Sequence, residues 1–215
     1  NGHRLEIAES VVAATTNQPK IFGGSGSREV ESTHVTLLSG NYANIYAGGE
    51  NRGVAGDTYI FIGGTVNHDV LENTEKSLHN KNTDKDSLQI FGGSYQATVS
   101  GDTHVTVGGS ALINYVRGGG NGINQIVKGT CYVKLQDNAG VYGINGGGNN
   151  GSTNNTQVVV TGGTVYQVQG GMTSAGGTVN NTSVQILGGT VGRRIYGGSY
   201  NEDDGSLFAT DWADT

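Results

Sequence analysis

The sequence of 215 residues contains one proline and one cysteine, and only 14% of its residues are charged. A single cysteine excludes an internal disulfide and a cysteine-based metal site. The formal net charge of −6 comes without a basic stripe, which argues against a nucleic-acid partner. No run approaches the roughly 18 apolar residues of a membrane-spanning helix, so we expect no membrane insertion. The start at Asn1, without a methionine or signal-like segment, is typical of a mature form or an excised fragment.

Glycine is the residue in excess, with 39 copies in the chain. Disordered and collagen-like chains with this much glycine are also rich in proline or strictly periodic at three. Here Val, Ile and Tyr are spread through the whole length, so the glycines indicate tight corners between short strands. The stretch Gly101–Gly120 shows the unit, because two runs with alternating apolar residues each end in a glycine pair.

Three sets of equivalent positions, here called columns, recur with a common period of 24 to 28 residues. The first column is the variable residue before each glycine pair: Phe22, Ala47, Phe91, Arg117, Asn145, Gln169 and Tyr196. The second column is nearly all threonine: Thr33, Thr58, Thr103, Cys131, Thr156 and Thr182. The third column is nearly all valine: Val30, Val54, Val99, Val127, Thr153 and Val179. One long gap is explained by an insertion at residues 69–87, which is charged and lacks alternation; we predict a loop or short helix projecting from one corner.

This period predicts an all-β fold, a parallel β-solenoid with three strands per coil and about seven coils. Each strand would pair with its equivalent in the coils above and below, about 4.8 Å away. A β-sandwich also has short strands and glycine turns, but it does not require the same residue type at the same position of every repeat. We predict an N-terminal cap at residues 1–20, solenoid repeats at 21–200, and a C-terminal cap or tail at 201–215 that folds back through Leu207, Phe208 and Trp212.

The units THVTVGGS, NYVRGGG and SVQILGGTVGRRIYGGS resemble the glycine-rich repeats of secreted or surface-attached bacterial proteins. Those proteins form parallel β-helices of the broad pectate-lyase-like architecture. The resemblance covers about residues 21–200 and implies a secreted or cell-surface location. Adhesins, passenger domains, phage tailspikes and polysaccharide-degrading enzymes share this architecture, so no functional residue follows from it.

Two carboxylates are the candidate catalytic pair. Asp57 and Asp102 occupy the same phase of consecutive coils, which predicts a separation of about 5 Å. Such a pair can bind calcium, or divide acid and nucleophile roles on a glycoside. We favour a structural role, because the rest of this column consists of turn-forming residues whose side chains bond nearby main-chain groups: Ser32, Thr130, Asn155 and Asn181.

Four rings form the candidate binding face. His34, Tyr59, His104 and Tyr132 directly follow the threonine column and should point away from the core. Stacked along one face, they would offer a platform for sugars or for another protein. The alternative is stacking that only stabilises the sheet, or contact with the insertion. The residues two positions further on share this face: Thr36, Phe61, Thr106 and Lys134.

These patterns favour a non-enzymatic extracellular module, adhesin-like or structural, over an enzyme. Its ligand would be a glycan or a host or neighbour protein, bound on the His34–Tyr132 face or on the insertion. The alternative is a polysaccharide lyase or glycoside hydrolase centred on Asp57 and Asp102.

Because the histidines lack a recurring metal-ligand spacing, we predict neither a metal nor a cofactor. End-to-end assembly into a filament is a third option, against which the two predicted caps argue. We interpret the first column, Phe22 to Tyr196, as mainly structural, and the asparagine-rich corners as side-chain ladders.

Overall fold

The structure is a computed structural model that describes residues 2–9, 11, 18–67, 69–79, 88–123, 125–171 and 177–199. Within these ranges the chain is nearly all-β, and twelve strands form one parallel sheet. The sheet winds into a β-solenoid of about seven turns, which confirms the predicted fold class. The predicted C-terminal cap at 201–215 lies outside the described residues, as do residues 1, 10 and 12–17 of the predicted N-terminal cap.

Each rung gives one strand to a first side of the solenoid and one to a second side. The strands of the first side are β1 (His3–Ile7), β3 (Thr33–Leu37), β5 (Thr58–Ile62), β7 (Thr103–Val107) and β9 (Ile126–Leu135). The strands of the second side are β2 (Ile21–Phe22), β4 (Asn44–Tyr46), β6 (Gln89–Phe91), β8 (Leu112–Arg117) and β10 (Gly140–Asn145). In the last two rungs, β11 (Ser152–Gln169) and β12 (Val179–Tyr196) run continuously around the corner and serve both sides.

The third side is narrow. Val30, Val54, Val99 and Val127 form single parallel bridges from rung to rung. In the last rungs the same line continues when Thr153 pairs with Val127 and with Val179. These pairings agree with the predicted valine column, including its one polar member. Four of these valines pack with Cys131 in a buried cluster of their own: Val30, Val54, Val99 and Val127.

The core is a stack of inward-facing Val, Ile and Leu side chains, because alternate residues of a strand point to opposite faces. On the first side, Val35, Ile60, Val105 and Val133 are each at most 3% exposed and pair directly from rung to rung. Residues of the second side, such as Ile90, close the same cluster from across the coil. Each rung thus buries its apolar face only with the help of its neighbours.

A threonine hydroxyl links the two sides within a rung. Thr58, Thr103, Thr156 and Thr182 donate to the carbonyl oxygens of Gly92, Gly118, Gly170 and Gly197, respectively, over 2.5 to 2.6 Å. In the second rung, Ala47 occupies the place of the glycine, and the buried hydroxyl of Thr33 has no hydrogen-bond partner within the described part of the chain. The threonines of this column therefore link the two sides of a coil by hydrogen bonds, in addition to packing inside it.

The first glycine of the corner packs tightly against the next rung in most coils, and Ala47 takes its place in the second rung. A Cβ added at Gly92, Gly118, Gly146 or Gly170 would lie closer than 3.0 Å to the carbonyl oxygen of the equivalent glycine in the next rung. None of these four residues has φ in the left-handed region. Lack of space between neighbouring backbones, and not an unusual backbone angle, selects glycine here.

The predicted first column is wrong at Ala47, because Tyr46 occupies that position in the structure. Ile21 pairs with Ile45, and Tyr46 pairs with both Phe22 and Phe91. Tyr46 therefore belongs to the column that we assigned to Ala47, which takes the place of a corner glycine. The error arose because the sequence Ala47-Gly48-Gly49 moves the visible glycine pair one residue beyond its place in the other rungs.

The insertion turns back onto the outer face of the second side instead of projecting from a corner. Thr74 caps the short helix α1 (Glu75–Leu78) by accepting from the N–H of Ser77. Leu71 and Leu78 are buried in a cluster of residues from the insertion and the second side: Leu71, Leu78, Leu88, Leu112 and Tyr142. Residues 80–87 of the insertion lie outside the described residues.

The two ends of the described solenoid differ. At the N-terminal end, β1 pairs in parallel with β3, and Leu5 and Ile7 pack against the core. At the C-terminal end, the inward-facing Ile186 and Ile195 are 36% and 51% exposed, and Leu187 is 70% exposed. Among the described residues, a Cβ added at Gly197 would meet nothing within 4 Å. None of the described residues covers the core beyond the last rung.

We predict that Gly118→Ala lowers the stability of the solenoid by about 1–3 kcal/mol, because the new methyl group overpacks the corner. Gly197→Ala is the matched control, because a Cβ there has free space; it should be neutral or slightly stabilising. Urea unfolding followed by circular dichroism measures both. Equal midpoints for the two variants would contradict the packing explanation.

Thr103→Val should cost about 1 kcal/mol, because the carbonyl of Gly118 loses its hydroxyl donor. Thr33→Val tests the same change where the hydroxyl is buried without a partner among the described residues, and it should leave the unfolding midpoint unchanged or raise it. The same urea titration compares them. A larger loss for Thr33→Val than for Thr103→Val would show that the hydroxyl does not link the two sides.

Candidate ligand-binding face

The four predicted rings form one continuous stack on the outer face of the first side. Equivalent pairing of β3, β5, β7 and β9 places His34, Tyr59, His104 and Tyr132 at consecutive rungs. Their ring centroids are 4.5, 4.5 and 4.9 Å apart, with interplanar angles of 12°, 3° and 8°. The faces of the rings within this aromatic stack cover one another, so the rings present their edges outward.

A second row of side chains runs beside the aromatic stack. Thr36, Phe61, Thr106 and Lys134 pair from rung to rung two residues further along each strand. Because side chains two apart on a strand share a face, both rows point away from the core. Lys134 is exposed and lies at the far end of this row.

A shallow depression lies between the two rows. One part spans the rungs of His34, Tyr59 and His104, and a second part continues to Gln157. Together they form the axial groove, which crosses five rungs parallel to the solenoid axis. Its outward-facing lining is His34, Thr36, Tyr59, Phe61, His104, Thr106, Tyr132, Lys134, Gln157 and Val159.

The lining of the axial groove carries no carboxylate, although the chain has 18 acidic residues. Lys134 is the one Lys or Arg side chain of this lining. The remaining polar groups are hydroxyls, imidazoles and one amide, all of which donate and accept hydrogen bonds. The groove is therefore suited to a ligand rich in hydroxyl groups or main-chain amides.

Sequence reasoning missed two residues of the groove. Gln157 pairs with Tyr132 and Val159 pairs with Lys134, which extends both rows by one rung. The signal was present in the sequence, because Gln157 directly follows Thr156 of the threonine column. Thr156 begins at a different distance from the next glycine pair than Thr103 does, and this difference obscured the register.

The carboxylates of Asp57 and Asp102 bond to the main chain of the following rung. Asp57 Oδ1 accepts from the N–H of Asp102 at 2.8 Å, and Asp102 Oδ1 accepts from the N–H of Thr130 at 2.7 Å. Asn155 and Asn181 continue the column with an amide ladder, in which Asn181 Nδ2 donates to Asn155 Oδ1 at 2.9 Å. In this column, carboxylate oxygens of Asp57 and Asp102 accept main-chain N–H groups of the following rung.

Asp57 also holds a ring of the aromatic stack. The hydroxyl of Tyr59 donates to Asp57 Oδ2 at 3.1 Å. Burial raises the pKa of Tyr59, and the hydrogen bond and negative charge of Asp57 raise it further. The phenol therefore stays protonated at neutral pH and continues to donate. Asp57 thus lies next to the binding face as a support for Tyr59.

The outer face of the second side carries another stack of rings, which is largely buried. Phe22, Tyr46 and Phe91 stack with centroids 5.0 and 4.8 Å apart, and Arg117 lies over Phe91. Tyr46, Phe91 and Arg117 are at most 7% exposed. Burial raises the pKa of Tyr46 to about 12. This predicted column is a buried support, consistent with our structural interpretation of it.

The described residues contain no cluster of three or more His, Cys, Asp or Glu side chains that would hold a metal ion. Cys131 is fully buried in the threonine column, and burial raises the pKa of its thiol to about 12. The thiol is therefore protonated at neutral pH and is not a nucleophile. Its Sγ donates to Thr153 Oγ1 at 3.8 Å.

Because both carboxylates accept main-chain N–H groups, Asp57→Asn and Asp102→Asn should shift the unfolding midpoint little, since an amide oxygen accepts the same bond. Asp57→Ala leaves the N–H of Asp102 without this acceptor and should cost about 1–2 kcal/mol. Thermal unfolding compares the three variants. A catalytic pair would behave differently: the Asn variants would remove polysaccharide cleavage while leaving the fold intact.

None of the helices in the described part of the chain is long and apolar enough to cross a membrane. Comparison with known proteins gives no relative: no family model, no curated protein and no solved structure matches the chain. The function must therefore be inferred from the geometry of the groove and its surroundings.

Proposed function

We propose that this chain is a non-enzymatic β-solenoid module of a secreted or cell-surface protein, and that its axial groove binds a glycan or a partner protein. The observation that carries the proposal is a pair of adjoining depressions that share His104 and Thr106, together cross five rungs, and are lined by stacked rings and hydroxyls. Ligand sites are typically concave, largely apolar and furnished with a few polar groups that fix orientation. The groove has these properties, whereas part of the outer face of the second side is covered by Leu71 and Leu78 of the insertion.

The rigidity of the site supports a binding role. The groove residues stand on strands that pair on both edges from rung to rung. Ring stacking further restricts the rotamers of the aromatic residues, so little side-chain freedom remains to be lost when a ligand binds. A long ligand can therefore gain affinity from several weak contacts made at once.

An enzymatic role has less support. Each of Asp57 and Asp102 uses one carboxylate oxygen to accept a main-chain N–H group, and Asp57 accepts the hydroxyl of Tyr59 with the other. A glycosidase needs one carboxyl as a proton donor and the other as a nucleophile or base facing the sugar. The secreted or surface location and the adhesin-like role rest on the resemblance of the repeats.

The proposal predicts that Tyr132→Ala and His104→Ala each weaken ligand binding by about tenfold, the effect of losing roughly 1.4 kcal/mol of contacts. Gln185→Ala is the control, because Gln185 continues the row of Lys134 and Val159 beyond the groove. Screening a glycan array and a panel of extracellular proteins with all four proteins measures the effect. Equal binding by the wild type and both groove variants would exclude this face.

A further inference from the structure

The rings of the axial groove alternate between imidazole and phenol over four of its five rungs, and the fifth rung, with Gln157 and Val159, does not continue the alternation. The rungs of His34 and His104 each place an imidazole beside a threonine, Thr36 or Thr106. The rungs between and beyond them place a phenol beside a larger side chain: Tyr59 beside Phe61, and Tyr132 beside Lys134. A ligand that lies along these four rungs thus meets the same type of ring after two rungs, or about 9 to 10 Å.

The aromatic stack presents ring edges to this ligand. Because neighbouring centroids are 4.5 to 4.9 Å apart with nearly parallel planes, a sugar ring has no room to stack on the faces inside the stack. Aromatic ring edges carry partial positive charge and attract oxygen lone pairs. Imidazole nitrogens, phenol oxygens and threonine hydroxyls add hydrogen-bond donors and acceptors along the same line. The groove therefore recognises a ligand with oxygen atoms distributed along its length.

The charges of the groove favour an uncharged ligand. Lys134, in the fourth of the five rungs, is the one Lys or Arg side chain of the lining, and no acidic side chain lines the groove. The chain as a whole carries a net charge of −6, which disfavours the approach of a polyanion. A row of cationic side chains, as expected for a polyanion site, is absent from the described lining.

An extended peptide fits the repeat poorly. Side chains on one face of an extended peptide recur about every 7 Å, which matches neither one rung nor two. In a linear glycan, each pyranose unit adds a length close to one rung spacing. When successive units are flipped relative to each other, as β-1,4 linkages dictate, the same groups return after two units, which is the repeat of the groove.

We propose, building on the function proposed above, that the axial groove binds an uncharged linear glycan with successive sugar units in alternating orientation. The glycan lies parallel to the solenoid axis with one unit per rung. Units of one orientation contact His34 and His104, and units of the other orientation contact Tyr59 and Tyr132. Five rungs line the groove, so five units fill it.

Calorimetric titration of the full chain with cellobiose through celloheptaose tests the length. Affinity should rise with each added unit up to the pentamer and then stay constant. Maltohexaose, whose α-1,4 linkages curve the chain without alternating its units, should bind at least about tenfold more weakly than cellohexaose, a difference of roughly 1.4 kcal/mol. Equal affinity for the two hexamers would overturn the proposal.

The alternation has a composition-matched test. The double variant Tyr59→His/His104→Tyr keeps four stackable rings but orders them as two imidazoles followed by two phenols. Its thermal midpoint should stay close to that of the wild type, while its affinity for cellohexaose should fall about tenfold. Unchanged affinity would show that the two-rung repeat does not select the ligand.

Tyr132→Ala separates this proposal from the broader one. If cellohexaose binds and Tyr132→Ala weakens it, both stand. If maltohexaose or a uronic-acid hexamer binds more tightly than cellohexaose and loses affinity in Tyr132→Ala, the groove is a ligand site and the sugar class is wrong. If only a protein from the panel binds and is lost in Tyr132→Ala, the glycan assignment fails and the binding module remains. If Tyr132→Ala changes no binding, both proposals fail.

Discussion

The close approach of stacked corner glycines is the constraint on which the rest of the solenoid depends. At Gly118 the backbone leaves no room for a Cβ against the next rung, and its carbonyl accepts the hydroxyl of Thr103 from the opposite side. The strands of the second side contain only two to six residues in the first five rungs. Because so few main-chain pairs hold each of them, the corner contact fixes both the width of the core and the stacking of the rungs.

A fixed rung spacing has a direct consequence for the outer surface. Side chains of equal phase are held in rows by the strands themselves, without loops, so the axial groove is formed before any ligand arrives. The second side has the same rows, but Leu71 and Leu78 of the insertion cover part of them and Arg117 packs over Phe91. The two sides thus share one backbone plan, while packing leaves the first side available to a ligand.

The sequence was sufficient to predict the period, the threonine and valine columns and the order of the four rings, because each rung repeats a residue type at one phase. The predicted register was wrong at Tyr46. We had aligned the rungs by their glycine pairs, and Ala47 replaces the first glycine of the pair in that rung. A shift of one residue exchanges the inner and outer faces of a strand. The contacts of Asp57 with the next rung and the return of the insertion onto Leu112 depend on side-chain rotamers and loop geometry, which residue patterns do not encode.

The aromatic stack connects stability to recognition. Each stacked pair contributes about 0.5–1.5 kcal/mol beyond its buried area, so the rings help to hold the rungs in register. The same stacking covers the ring faces, which are the surfaces that sugar-binding proteins generally place against a pyranose ring. Recognition must then use edges, hydroxyls and imidazole nitrogens, whose positions repeat with the rungs. A surface of this kind selects a ligand by its period and its polar groups more than by its apolar area, and the alternation of His and Tyr makes that period two rungs.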